Sequence, residues 1–197
     1  MSNLKFSQGR DTYDNKPVQR TAADFEDFVA QISQTGSTRK GEVFVCAPLT
    51  QGAHNDPARY PGIAHWRIHQ LAQPREFLAL DGDYFANAAV FTDFQQQVAQ
   101  WSCVVYTTAS HIPTAPRARA IIELDRAVHR AEGIALGEAV ERLLISVLGA
   151  GSIKLDPSVY RAEQPIYTPL IGSQIHRHYG QPLNVDAVLS AYPVVWL

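Results

Sequence analysis

The sequence predicts an α+β domain in which mixed or antiparallel sheets are flanked by helices. Three observations carry this expectation. Strand-like and helix-like segments interleave irregularly, which favours an α+β sandwich over a doubly wound parallel sheet. The strand segments are short apolar runs bounded by Gly, Pro, Asp and Asn, and the helical ones show apolar residues at i, i+3, i+4 spacing. The chain has 197 residues, 46% hydrophobic and 18% charged, enough for one ordinary core.

The elements follow in order. Residues 1–20 are polar and patternless and read as an N-terminal arm, leaving 21–197 as a single domain. Thr21 is placed to cap a helix through TAADFEDFVAQIS, with Phe25, Phe28, Val29 and Ile32 as its apolar stripe and Gly36 as its stop. EVFVCAPL (42–49) reads as a strand and residues 50–62 as a loop. AHWRIHQL (64–71) and REFLALDGD (75–83) read as strands. NAAVFTDFQQQVAQW (87–101) reads as a helix, with Val90, Phe91, Phe94 and Val98 in register. SCVVYTTAS is a buried strand, IPTAP a loop and RARAIIELD a strand. A helix is expected over 136–148, stopped by Gly149. IKLDPSVY is a strand turning at Pro157, PIYTPL a short strand, HYGQPLNV a turn, and a last short helix starts at Asp186.

Bulk properties exclude some functions. The net charge of −2 gives no global basic footprint, which argues against tight nonspecific duplex binding but leaves room for a local basic groove. Cys46 and Cys103, the two cysteines, sit in apolar runs and read as buried free thiols of a reducing compartment. No secretory h-region or membrane-length apolar stretch is present in the sequence, so a cytoplasmic protein with no membrane partner is expected.

The segment FLALDGDYF holds the most chemical information. Side chains alternate along a strand, so Asp81 and Asp83 share a face with Cα atoms roughly 6–7 Å apart. Two carboxylates ending a buried strand suit a divalent cation with oxygen ligands. The other reading is an Asp-Gly hairpin turn. Further on, VVYTTASHIPTAPRARAIIELD places Arg117 and Arg119 at i, i+2 on a strand, near His111. Planar guanidinium groups bind phosphates bidentately; solvated edge arginines are the alternative. Asp156 ends a third apolar stretch, as a converging carboxylate or as a mere turn starter before Pro157. An acidic pair, a cationic turn and a lone aspartate are what a metal-dependent nucleotidyltransferase needs. Two ions about 3.5–4 Å apart would serve the attacking and leaving oxygens, and no protein nucleophile is required.

On these residues the chain resembles the archaeo-eukaryotic primase superfamily, in particular primase-polymerases of phages, plasmids and other mobile elements. Asp81 and Asp83 match its D-x-D/E motif; Ala109, Ser110 and His111 match its small-x-His motif; Leu155 and Asp156 match its apolar-plus-acid motif. PIYTP resembles the strand that follows. The resemblance spans about residues 43–190. It implies an RRM-like catalytic core with antiparallel sheets, primer synthesis on a single-stranded DNA template, and nucleoside triphosphates as substrates. A replicative helicase, fused or separate, is the implied partner. It also implies two Mg²⁺ or Mn²⁺ ions on Asp81, Asp83 and Asp156, and a triphosphate held by Ser110, His111, Arg117 and Arg119. Arg119 is expected to face the carboxylates across a cleft. His111 departs from the pattern by preceding a proline loop, and Asp125 competes with Asp156 as the third acid.

Two other readings stay open. The domain could be a noncatalytic DNA-binding or origin-recognition module on the same fold. His176-Arg177-His178 with Tyr179 resembles the site of HUH-type nucleases, although a charged middle residue and the adjacent tyrosine fit it poorly; two histidines on an edge strand is the plainer reading. His65 and His69 would share a strand face. Trp66, Trp101 and Trp196 read as core or rim aromatics.

Overall fold

Two eleven-residue strands, Arg75–Phe85 (β4) and Ala118–Val128 (β6), form the centre of the fold. The computed structural model describes residues 3–34, 38–50, 52, 56, 58, 59, 61 and 67–193. Among them the elements run Leu4–Gly9 (β1), Val18–Ala22 (β2), Phe25–Ser33 (α1), Val43–Val45 (β3), β4, Ala88–Val98 (α2), Ser102–Thr107 (β5), β6, Arg130–Leu148 (α3), Ile153–Leu155 (β7), Ile166–Tyr167 (β8), Ile175–Tyr179 (β9) and Val185–Ala191 (α4). A five-stranded sheet has the order β7-β4-β6-β5-β9, and a four-stranded sheet the order β2-β1-β3-β8. Every pairing between these named strands is antiparallel. This is the α+β architecture that the irregular order of segments predicts.

The central strands read FLAL, CVVY and AIIEL because both faces are covered, so apolar residues run on without alternation. One face of β4 looks toward the four-stranded sheet. There Phe77 stacks on Phe28 of α1 at 4.2 Å between ring centroids, and Phe28 meets Phe6 of β1 and Phe44 of β3 edge-on. Phe85 packs against Phe91 and Phe94 of α2. A Cβ at Gly82 would lie 2.5 Å from the Phe85 ring, so only glycine fits between the two aspartates. The core built this way is continuous across both sheets.

Several expectations are corrected. The supposed arm, residues 1–20, contains β1 and the first three residues of β2, and β1 is an inner strand between β2 and β3. Asp24, not Thr21, caps α1, accepting from the Asp27 amide, while Thr21 lies in β2. The strand expected at 64–71 is absent from its described part: His69–Leu71 is a 3-10 turn. His69 therefore shares no strand face with His65, which lies outside the described residues, as do Gly36, Trp66, Trp196 and much of the 50–62 loop. Helix α3 starts six residues before the expected 136. The strand expected to turn at Pro157 does so: Ile153–Leu155 is β7, and residues 157–160 form a 3-10 turn. His176 and His178 do sit on an edge strand, β9, and Trp101 is buried. Cys46 and Cys103 are buried free thiols, both pushed up to about 12 by burial. Among the described residues no helix is long and apolar enough to cross a membrane.

Candidate nucleotide site

Register builds the site. Pairing of β4 with β6 sets Asp81 opposite Arg119, and pairing of β5 with β6 sets Tyr106 opposite Arg119. Tyr106, Arg119 and Asp81 thus form a row across three strands on one face. The row faces the four-stranded sheet. The Tyr106 hydroxyl donates to the Tyr167 carbonyl of β8 at 2.8 Å, and the Arg119 guanidinium lies 5.8 Å from the Tyr167 ring centroid.

Arg119 donates through Nε and Nη2 to Oδ2 of Asp81, at 2.9 and 2.7 Å. Both side chains are nearly buried, at 13% and 10% exposure. Arg117, just before β6, reaches Oδ1 of Asp83 from Nη1 at 3.3 Å, with both partners close to half exposed. The β4–β7 register shifts between Gly82 and Tyr84, and Asp83, at the shift, is exposed. Arg119 is therefore not across a cleft from the carboxylates but bonded to one of them, because the antiparallel register makes the two residues direct neighbours.

Asp156 joins this end of the sheet. Its amide donates to the Asp81 carbonyl at 2.9 Å as β7 leaves β4. Its carboxylate caps the 3-10 turn Pro157–Tyr160, accepting from the Ser158 amide at 2.9 Å and the Ser158 hydroxyl at 2.7 Å. Asp125 lies far along β6, where its carboxylate accepts from the Val185 amide at the start of α4. Burial pushes the Asp81 carboxyl above the ordinary aspartate value, against the pull of Arg119, and the charges of Asp83 and Asp156 push the same way.

His111 turns back under the loop. Its Nδ1 accepts from the Arg117 amide at 3.2 Å, and its ring lies 5.7 Å from that of Phe91. A neutral imidazole accepting at Nδ1 carries its proton on Nε2, which leaves one ring donor. Ser110 is exposed in the same turn. Beside it a recess of about 300 Å³ is lined by Thr107, Thr108, His111 and the Leu170–Ser173 turn. Residues that sequence reasoning did not single out are Tyr106, Tyr167, Ser158 and Lys40, whose ammonium lies 5.2 Å from the Tyr167 ring centroid. Of these, only Tyr167 carried a signal, through the PIYTP segment.

The donor set is chemically suited to a hard divalent cation, since Arg119 uses only Oδ2 of Asp81 and Arg117 only Oδ1 of Asp83. The set is not gathered, however. Among the described residues no group of three or more His, Cys, Asp or Glu side chains is arranged to hold an ion.

The architecture defines the class. The chain is similar to the archaeo-eukaryotic primase (AEP) domain of the cyanophage S-2L primase-polymerase, with 9% identity and a TM-score of 0.50 over 96% of this chain and 89% of that one. It is also similar to the polymerase domain of Mycobacterium tuberculosis ligase D in complex with DNA, with 14% identity and a TM-score of 0.44 over 94% of this chain and 70% of that one. It has the fold of a primase-polymerase domain, as the sequence motifs led one to expect. Within that class, a family model described as the VapE N-terminal domain matches residues 65–196, and the chain belongs to this family. A search of curated proteins finds no match.

Proposed function

We propose that this domain is a metal-dependent nucleotidyltransferase that synthesises, and extends, primers on a single-stranded DNA template during mobile-element replication. One observation carries the reading. On a primase-polymerase fold, Asp156 is tied to the Asp81 backbone at the end of the strand that also bears Asp83, with His111, Arg117 and Arg119 alongside. In this reading Asp81, Asp83 and Asp156 hold Mg²⁺ or Mn²⁺. Bound there, the ions supply charge for the attacking and leaving oxygens of phosphoryl transfer. Arg117 and Arg119 orient the triphosphate of the incoming nucleotide. His111 offers an Nε2 donor, and Ser110 a hydroxyl, to phosphate oxygens.

The test is direct. Incubated with single-stranded DNA, labelled nucleotides and Mn²⁺, the protein should make oligomers de novo, and Asp83→Asn should make none. Near-normal synthesis by that variant would remove Asp83 from the metal set.

A second reading is favoured by the same ion pairs. Carboxylates already neutralised by arginines suit a noncatalytic DNA-binding module that keeps the fold as a scaffold. Thermal stabilisation by Mn²⁺ with a nucleoside triphosphate separates the two, since only the first reading expects it.

A further inference from the structure

The inner and outer carboxylates are held in different ways. Asp81 and Arg119 are both nearly buried and share two short hydrogen bonds. Asp83 and Arg117 are half exposed and share one long contact. A divalent ion and a guanidinium are two cations competing for the same two carboxylates. Arg119 cannot simply be pushed aside, because a buried guanidinium without an anion is costly. What releases it is another set of oxygens. A triphosphate offers those, in the planar bidentate geometry that arginine binds well.

We infer that Arg117 and Arg119 form a latch that closes the acidic pair, and that a polyphosphate opens it by drawing both guanidinium groups onto itself. This rests on the nucleotide reading above and adds an order to it. The exposed Arg117–Asp83 contact yields first and the buried Arg119–Asp81 pair second, so the carboxylates become ligands only once a triphosphate is present. By linkage, whatever factor the triphosphate adds to metal affinity, the metal adds to triphosphate affinity. The site would then stay closed to free divalent ions.

Nuclear magnetic resonance on the whole chain in EDTA, with ¹⁵N in the arginine side chains and ¹³C at the aspartate carboxyls, tests this without metal or turnover. Inorganic triphosphate should move the Arg117 and Arg119 Nε–H signals and the Asp81 and Asp83 carboxyl signals along one saturation curve. If the arginine signals move while both carboxyl signals stay fixed, the latch is overturned and the nucleotide reading survives. If nothing moves, both fall. As a second arm, the free-Mn²⁺ signal in electron paramagnetic resonance gives metal affinity without any phosphate. Arg117→Gln, at an exposed position, should bind Mn²⁺ about three- to fivefold more tightly than the wild type, the scale of one half-exposed ion pair. Equal affinity would overturn the latch.

Discussion

Asp81 is the residue on which stability and function meet. Burial outweighs Arg119 and raises its carboxyl above 3.8. A folded-state value above the unfolded one means that the folded protein holds the proton more tightly. That stabilisation is fully present below the unfolded value and fades as pH rises through the folded one. Asp81→Asn mimics the protonated form. Against that stands the cost of leaving the buried Arg119 guanidinium without its anion, so the variant should be less stable than the wild type at pH 7 while losing nucleotide transfer; urea unfolding checks the first and primer synthesis the second. Arg119→Gln makes the opposite change. It leaves a buried carboxylate beside Asp83 and Asp156, and should cost about 3 kcal/mol at pH 7, less at low pH as Asp81 takes up its proton. The third acid can be assigned in the same way. Asp156→Ala should lower nucleotide transfer by orders of magnitude, and lose about 1 kcal/mol of stability with the cap on the Ser158 amide. Asp125→Ala removes the contact to the Val185 amide near α4 and should leave most activity in place. An inactive Asp125→Ala beside an active Asp156→Ala would reverse the choice.

At the scale of elements, α3 positions Asp156 indirectly. Gly137 gives the Tyr160 ring its place, since a Cβ there would come within 2.4 Å of it, and Gly133 does the same for the fully buried Arg75. Arg75 in turn donates from Nη2 to the Tyr160 carbonyl at 2.8 Å. These contacts hold the 3-10 turn that Asp156 caps. Alanine is the better helix former by about 1 kcal/mol, yet Gly137→Ala should destabilise by about 1–3 kcal/mol through overpacking, visible as a lower urea midpoint. A rise in the midpoint would show that Tyr160 can move freely. Gly133 explains why the start of α3 was not legible: it reads as a breaker when only local propensity is known. Strands β4, β5 and β6 and helix α2 were legible because their apolar runs and spacing are local signals. Strand β2, VQRTA, was not, because four of its five residues are exposed and it offers no alternation. Asp81, Asp83, Arg117 and Arg119 were legible as charges at strand ends. The bonds between them were not, because the register that sets Asp81 opposite Arg119 joins residues 38 positions apart.

For the whole molecule, the continuous core decides how much of the chain must fold together. Phe6 of β1 is fully buried against Phe28, and Phe28 carries the contact onward to Phe77 of the other sheet. The Tyr106–Tyr167 hydrogen bond ties the sheets at the candidate site as well. Such a core unfolds as one unit. Urea unfolding followed by tryptophan fluorescence and by far-ultraviolet circular dichroism should give coincident transitions; separated ones would mean that the four-stranded sheet is a unit of its own. Deleting residues 1–20 is the stronger trial. A dispensable arm would leave stability unchanged. Its removal takes β1 from between β2 and β3 and most of β2, strips Phe28 and Phe44 of their cover, and frees the Ser7 hydroxyl's partner, the Ala47 carbonyl. Loss of the Phe6 side chain alone is worth about 3–5 kcal/mol, a large part of the ~5–15 kcal/mol that holds a typical domain together. The truncated chain should therefore lose cooperative unfolding, with weakened inter-sheet packing around Tyr167 and Arg119 and reduced triphosphate binding. A truncated protein with an unchanged urea midpoint would show that the five-stranded sheet and its helices fold unaided.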